Sequence, residues 1–231
     1  MQLFFFRQAL DYKTLQQYTD SIWIVPVLLA ITLHEAAHAW IASCCGDTTA
    51  IALGRLSINP FKHIDLVGTV FVPIVVAVLS GFQFVFGWAK PVPISWQQLS
   101  KPRRDMALVA VAGPAANILM VFIWMACVKM GYSWGSNTSQ IAVFMVLTGW
   151  AGIQINLVLA FLNLIPVPPL DGSRIIASLL PPKFSMYYLK LEPFGFLIVL
   201  ILLFTGVLGW LIYAPVSWSI NVIHGLLNID N

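Results

Sequence analysis

Three titratable side chains interrupt an apolar stretch near the start of the sequence. Residues 28–43 read LLAITLHEAAHAWIAS, with His34, Glu35 and His38 within five positions. On an α-helix, residues four positions apart share one face, so His34 and His38 can present two imidazoles to one divalent metal ion. Glu35 lies beside that face, where a carboxylate can hold a reacting water without binding the metal. The HExxH spacing therefore indicates metal-assisted hydrolysis.

The composition places this stretch in a membrane. The chain has 231 residues, of which 59% are hydrophobic and only 9% charged, whereas a soluble domain carries about 25% charged residues. So few charges cannot cover a water-facing surface, and we predict an integral membrane protein. The net charge of +3 is too small to indicate nucleic-acid binding. Ionisable groups inside a membrane span are costly and are retained mainly where they have a function, which favours a metal site over a chance match.

Five apolar segments are close to the length of about 20 residues that a helix needs to cross a membrane. They are residues 22–42, 66–87, 106–128, 141–165 and 194–213. We therefore predict an all-α polytopic membrane protein, a bundle of about five apolar segments. The prediction treats residues 1–231 as a single domain with its core at 22–185 and a C-terminal helical region at 194–227.

The segment 66–87 either crosses the membrane or enters it and returns, so that four or five segments span. The positive-inside rule does not separate the two arrangements, because each places nine Lys and Arg residues on one side and three on the other. The GRLSINP stretch is polar at alternate positions in part. It predicts a short β-hairpin-like loop near 51–62, which could offer its edge to an extended peptide.

A catalytic zinc site commonly takes three protein ligands and leaves a fourth position for water, so a third ligand is needed. The remaining histidines, His63 and His224, lie in a loop and in the tail. Among the acidic residues, Asp65 and Asp171 border apolar segments most closely. Asp171 lies in NLIPVPPLDG (163–172), where prolines stop the helix and irregular backbone at membrane depth can line a cavity. We predict Asp171 as the third ligand, with Asp65 as its competitor.

Three motifs together resemble the signature set of the site-2 protease family, the intramembrane zinc metalloproteases. They are HEAAHAW in the first span, AGPAAN (112–117) in the third, and NLIPVPPLDG after the fourth. The stretches GRLSINPFKHIDLVGT and FGWAKPVPISWQQLSKPRRDMALVAVAGP resemble the compact bacterial members, so no appended PDZ or CBS domain is expected. The match covers about residues 25–185.

The resemblance implies a role for each matching residue. His34, His38 and Asp171 would bind one Zn2+ per chain, and Glu35 would be the general base that activates the water. Asn163, at the head of NLIPVPPLDG, matches the asparagine proposed in this family to steady the oxyanion.

Two further asparagines lie in apolar spans. Asn117 ends GPAAN and matches a family position that helps to hold substrate or to organise the core. Asn156 continues a small and polar stripe with Gly149 and Gly152, which would let a neighbouring helix approach closely. Because asparagine is costly in lipid, we expect both side chains to face the interior of the bundle.

The resemblance implies an intramembrane zinc metalloprotease that cuts a membrane protein within or next to a transmembrane segment, as in regulated intramembrane proteolysis. The expected partners are that substrate and the lipid bilayer, in a multi-pass protein of the bacterial cell membrane. The alternative is a zinc-binding membrane transporter or scaffold without peptidase activity; Glu35 favours hydrolysis. For His38 and Asp171 to share a metal, the first and fourth spans must end on one face. This predicts a re-entrant 66–87 and an active site nearer the cytoplasmic face.

Overall fold

The computed structural model describes residues 21–63, 65–79, 90–135 and 139–227, and these residues fold into helices joined by turns and extended connections without a β-strand. The nine α-helices of the described residues are α1 (Ser21–Cys44), α2 (Thr49–Ala52), α3 (Val72–Leu79), α4 (Pro102–Ser133), α5 (Gln140–Asn163), α6 (Asp171–Leu179), α7 (Pro182–Leu189), α8 (Glu192–Phe204) and α9 (Val207–Leu227). A π-helix at Leu66–Phe71 leads into α3, and short 3-10 helices lie at Pro60–His63 and Trp96–Gln98. The predicted all-α class is confirmed.

Four of these helices, α1, α4, α5 and α9, are long and apolar enough to cross a membrane. A fifth span results if α7 and α8, which meet at an angle of 62°, act as one broken span. The chain is therefore a multi-pass membrane protein. The spans predicted at 22–42, 106–128 and 141–165 correspond to α1, α4 and α5.

The span predicted at 194–213 is wrong in its bounds. Helix α8 ends at Phe204, and α9 continues to Leu227 through the tail that had no predicted span. Gly206 adopts a positive φ of 77°, and its N–H bonds to the Leu203 carbonyl, which is a common way for a glycine to end a helix. Hydropathy could not detect this break because the residues on both sides of it are apolar.

The β-hairpin predicted near 51–62 is also wrong. Helix α2 ends in a turn at Gly54, whose φ is 62°, and the N–H groups of Arg55 and Leu56 both bond to the Ala50 carbonyl. Asn59 accepts a bond from the Phe61 N–H, at the start of the next helical turn. Glycine and asparagine favour such local turns, so this backbone bonds to nearby groups rather than to a partner strand.

Helices α1 and α4 run in opposite directions. The Asn117 side chain of α4 bonds to the Ala30 carbonyl of α1, and further along α1 the His38 side chain bonds to the Val109 carbonyl, earlier in α4. The segment from residue 45 to 101 therefore begins and ends at the same end of the bundle. Of the predicted segment 66–87 within it, residues 80–87 lie outside the described part of the chain.

Helices α4 and α5 are also antiparallel, so α1 and α5 are parallel and end at the same side. Glycines of α5 allow the close contact with α4. A Cβ on Gly149 would lie 2.5 Å from Cγ2 of Val128, and one on Gly152 would lie 2.2 Å from the Trp124 ring. The small residues of the predicted stripe thus serve helix packing, as small residues commonly do in membrane helices.

Candidate metal centre

Three potential ligand atoms converge in the interior of the bundle. Nε2 of His34 and Nε2 of His38 lie 3.0 Å apart, and Oδ2 of Asp171 lies 3.1 Å from the first and 3.2 Å from the second. Zinc bonds of about 2.0–2.1 Å in a tetrahedral site place two ligand atoms about 3.3 Å from each other. The three atoms therefore have the spacing of three corners of a zinc tetrahedron.

The protonation of His38 is fixed by the backbone. Its Nδ1 lies 2.7 Å from the Val109 carbonyl oxygen, and a carbonyl can only accept a hydrogen bond. Nδ1 must therefore carry the proton, and Nε2 of the neutral ring keeps a lone pair directed at the other two ligand atoms.

Nδ1 of His34 also has a hydrogen-bond acceptor, but here the acceptor belongs to a side chain rather than to the backbone. Its Nδ1 lies 2.6 Å from Oδ1 of Asn117, whose Nδ2 donates to the Ala30 carbonyl at 3.2 Å and to Asn156 at 2.9 Å. Nδ1 of His34 is thus the donor and Nε2 has the lone pair. Asp171 Oδ2 is buried without a hydrogen-bond donor in the described part of the chain. Two imidazole lone pairs and a carboxylate oxygen in contact fit a cation, and this donor set suits zinc.

A glycine of α4 leaves the space that a metal ion needs. A Cβ on Gly113 would lie 2.4 Å from Nε2 of His38 and 2.6 Å from Nε2 of His34. Gly113 enters the sequence-based prediction only as part of the AGPAAN motif, with no role at the site. Its position one turn before Asn117, on the same face, is the signal that could have placed it against the histidines.

Asp171 reaches the histidines from the first residue of α6, after an irregular connection that follows α5. A Cβ on Gly172 would lie 2.3 Å from the Leu164 carbonyl oxygen and 2.5 Å from that of Ile165. Gly172 therefore allows α6 to approach the end of α5. Gly172 itself is helical, as the second residue of α6.

The far end of α6 is tied to α4. Arg103 donates from Nε to the Ser178 carbonyl at 3.1 Å, and from Nη2 to the carbonyls of Leu179 and Leu180. The last carbonyls of a helix lack partners within the helix, so the guanidinium group caps α6. Asp171 is thereby carried on a helix that is fixed at both ends.

Glu35 is held by an extended segment that packs against α1. Its Oε2 accepts a hydrogen bond of 2.8 Å from the Val92 N–H, and the Val92 side chain is buried with Ala39 and Ala50. No sequence signal pointed to Val92, because its contribution is a backbone N–H group.

Asp47 fixes the same extended segment. Its carboxylate is fully buried and accepts from the Thr49 N–H at 2.9 Å and from the Ser95 N–H at 2.7 Å. Burial raises the pKa of Asp47, but the hydrogen bonds from Thr49 and Ser95 outweigh this effect and hold the pKa below its ordinary value of 3.8.

The two remaining candidates, Asp65 and Asn163, each bond to a nearby backbone group. Asp65 caps the helix Leu66–Phe71 by accepting a bond from the Val67 N–H, and it does not join the group of potential ligands, which consists of His34, His38 and Asp171 among the described residues. Asn163 donates from Nδ2 to the Leu159 carbonyl, within its own helix, at 3.0 Å.

Comparison with known proteins gives the family. A family model described as Peptidase family M50 matches residues 128–205. The chain is 38% identical over 189 residues to "Putative zinc metalloprotease YwhC" of Bacillus subtilis, a match that covers 79% of this chain and 80% of that protein. The chain belongs to peptidase family M50, the site-2 proteases. As an M50 member it is a zinc-dependent metalloprotease, and the predicted family is confirmed.

Other relatives carry similar names. "Putative zinc metalloprotease Rip2" of Mycolicibacterium smegmatis is 30% identical over 195 residues, covering 83% of this chain and 70% of that protein. "Putative zinc metalloprotease MJ0611" of Methanocaldococcus jannaschii is 32% identical over 68 residues, 29% of this chain and 31% of that protein. No solved structure matches the chain significantly.

Proposed function

We propose that this M50 member is an intramembrane endopeptidase that hydrolyses a peptide bond within or next to a transmembrane segment of a membrane-protein substrate. The convergence of His34 Nε2, His38 Nε2 and Asp171 Oδ2 carries the proposal. The two histidines belong to a helix long enough to cross a membrane, so the site would lie where transmembrane substrates are found. We propose one zinc ion at these three residues, within a single metalloprotease domain over residues 1–231.

Glu35 would be the general base. A bound zinc ion would supply Lewis acidity toward water and toward the scissile carbonyl. Glu35 would accept the proton of the attacking water at Oε1 and pass it to the leaving amine. Its other oxygen remains bonded to the Val92 N–H, which orients the carboxylate through both steps.

Asn163 would stabilise the oxyanion. Its Nδ2 group carries two hydrogens, and the Leu159 carbonyl takes one of them. The second would donate to the carbonyl oxygen of the substrate as negative charge develops there.

The substrate would have to unwind before it is cut. Peptide carbonyls within a helix are already hydrogen-bonded and shielded by side chains. Residues that break a helix should therefore favour cleavage when they lie near the scissile bond. The partners in this proposal are the substrate helix and the surrounding lipid.

Charge distribution supports a cytoplasmic position for the end of the bundle that holds the site. Because α1 and α4 are antiparallel, we propose that 66–87 is re-entrant, which places nine of the twelve Lys and Arg residues at that end. They are Arg55, Lys62, Lys90, Lys101, Arg103, Arg104, Arg174, Lys183 and Lys190. Cytoplasmic loops carry an excess of such residues, so in a bacterial cell membrane this end would face the cytoplasm.

Cleavage in liposomes tests the proposal. The purified zinc-loaded protein is reconstituted with a synthetic transmembrane peptide that has a central Asn-Pro pair, and with a matched peptide that has Leu-Leu there. We expect mass spectrometry to detect cleavage of the first peptide in preference to the second. Glu35→Gln should keep zinc and lose at least about a hundredfold in rate, since general base catalysis is worth that much.

The same liposomes test the alternative of a transporter. A zinc-sensitive dye is enclosed in them, and zinc is added outside. Zinc entry without cleavage of either peptide would refute the protease function and support a transporter. Full activity of Glu35→Gln would show that Glu35 is not the general base.

A further inference from the structure

We propose that Asn156 and Asn117 form a relay of amide hydrogen bonds that positions His34 for zinc binding. Asn156 lies on α5 and bonds to Asn117 of α4, which bonds to His34 of α1. Asn156 would thus act on the metal through two other side chains, as a positioning residue. The inference rests on the proposed function, because it requires zinc at His34.

The direction of each hydrogen bond follows from the acceptor at the start of the relay. Nδ2 of Asn156 donates to the Gly152 carbonyl at 2.8 Å, and a carbonyl can only accept. Oδ1 of Asn156 must therefore be the atom that faces α4. It accepts from Nδ2 of Asn117 at 2.9 Å.

Asn117 is fixed in turn by two acceptors. The two hydrogens of its Nδ2 group go to Asn156 Oδ1 and to the Ala30 carbonyl. Its Oδ1 is then directed at Nδ1 of His34, which has to be the protonated nitrogen of a neutral ring. Both asparagines are completely buried, so water does not compete for these bonds.

The two zinc-binding histidines differ in how they are oriented. His38 bonds to the Val109 backbone carbonyl, which cannot exchange its acceptor for a donor. His34 bonds to a side-chain amide, whose oxygen and nitrogen ends have nearly the same shape. If Asn117 turned over, Nδ2 would face His34 and favour the ring with its proton on Nε2, which cannot bind a metal. Oδ1 of Asn156, at the shorter distance of 2.9 Å, and the Ala30 carbonyl, at 3.2 Å, are the acceptors that oppose this rotation, and His38 needs no such acceptors.

The chain offers a matched set of variants. Asn156→Leu removes the acceptor at similar size. Asn156→Asp restores it, because a buried carboxyl group is held neutral and can accept through one oxygen while it donates to Gly152 through the other. Thr148→Val is the control, since Thr148 is buried on the same helix and its hydroxyl has no hydrogen-bond partner in the described part of the chain.

The measurement is zinc retention against a graded series of chelator concentrations, with detergent-purified, zinc-loaded protein. Loss of outer hydrogen-bond partners weakens metal binding about 10–100-fold, and we expect a decrease in that range for Asn156→Leu. Asn156→Asp should recover most of the affinity, and Thr148→Val should equal wild type. Thermal unfolding of the zinc-free proteins shows whether Asn156→Leu folds as the control does.

Two results would overturn the relay. One is equal zinc affinity in Asn156→Leu and Thr148→Val, and the other is an Asn156→Asp protein as weak as Asn156→Leu. In either case a wild type that binds zinc and loses it in His34→Ala leaves the proposed function intact. A wild type that binds no zinc would refute the proposed function, and the relay with it.

Discussion

The backbone N–H of Val92 donates a 2.8 Å hydrogen bond to Oε2 of Glu35, from a segment 57 residues further along the chain. One residue of an extended connection thereby orients the carboxylate that follows His34, a proposed zinc ligand, in the sequence. The donor is a backbone N–H, so a substitution that removes this hydrogen and keeps the side chain apolar can test the bond.

Val92→Pro should lower the catalytic rate without loss of zinc. Proline has no N–H to donate, and Pro91 and Pro93 show that the segment already accommodates proline. Hydrogen bonds to charged groups contribute about 1.5–3 kcal/mol, which corresponds to a decrease of roughly ten- to a hundredfold in kcat. The measurements are peptide cleavage in liposomes and zinc content.

Val92→Ala is the matched control, because it keeps the N–H and removes most of the buried side chain. If Val92→Pro were as active as Val92→Ala, the backbone bond would have no part in orienting Glu35.

Gly113→Ala should prevent zinc binding in a protein that still folds. The added methyl group would lie 2.4 Å from Nε2 of His38 and 2.6 Å from Nε2 of His34, inside the space proposed for the metal. We expect zinc content to fall from about one ion per chain to a small fraction of that, as measured by atomic absorption.

Gly209→Ala is the control for this change. It also adds a methyl group to a membrane helix, but nothing lies within 4 Å of the new atom. Equal zinc content in the two variants would contradict the placement of Gly113 over the ligands.

Much of the fold was predictable from apolar length. A span of about 20 apolar residues is a direct consequence of bilayer thickness, and α1, α4 and α5 were found in this way. The break at Gly206 was not predictable from hydropathy, because apolar residues continue on both sides of it. Only the positive φ of this glycine in the structure shows that the helix ends there. The hairpin predicted near 51–62 was wrong because a short alternation of polar residues does not show whether the backbone bonds to nearby groups or to a distant strand. The structure has local bonds, at the turn at Gly54.

The site, too, was predictable only in part. The convergence of His34, His38 and Asp171 could be predicted because a metal site needs particular side chains, and a helix fixes the spacing of two of them. Their outer partners were not predictable in this detail. The bond from His38 to the Val109 carbonyl and the bond between Asn117 and Asn156 both join α4 to a neighbouring helix. They depend on the packing register between the helices, which no local sequence pattern determines.

Asp171→Asn and Asp65→Asn should differ in zinc content. Asp171 Oδ2 lies within 3.2 Å of both histidine nitrogens, and the amide variant loses the negative charge that opposes the charge of the metal. Asp65 accepts a bond from the Val67 N–H at a helix start, a role that asparagine also performs well. We expect loss of zinc in the first variant and wild-type content in the second.

Zinc content of the two proteins, purified side by side in detergent, decides this point. Full zinc in Asp171→Asn would show that the third ligand is misassigned, whatever the result for Asp65→Asn.

Asp47→Ala should destabilise the protein at neutral pH but not at low pH. The buried carboxylate accepts bonds from the N–H groups of Thr49 and Ser95, and its removal leaves both donors without this acceptor, at a cost of about 1–3 kcal/mol. Because the pKa of Asp47 is lower in the folded protein than its ordinary value of 3.8, the folded state favours the charged form. The stabilisation is therefore complete above that ordinary value and is lost as pH falls through the folded pKa.

The measurement is the difference in unfolding temperature between wild type and Asp47→Ala, at pH 7 and at successive values below pH 4. Both proteins are kept zinc-free, so that protonation of the proposed metal ligands affects them equally and cancels in the difference. We expect a lower unfolding temperature for Asp47→Ala at pH 7 and a difference that shrinks steadily as the medium becomes more acidic. A difference independent of pH would mean that the variant loses packing rather than a charged acceptor, and Asp47 would then have no electrostatic role in fixing the segment that holds Glu35.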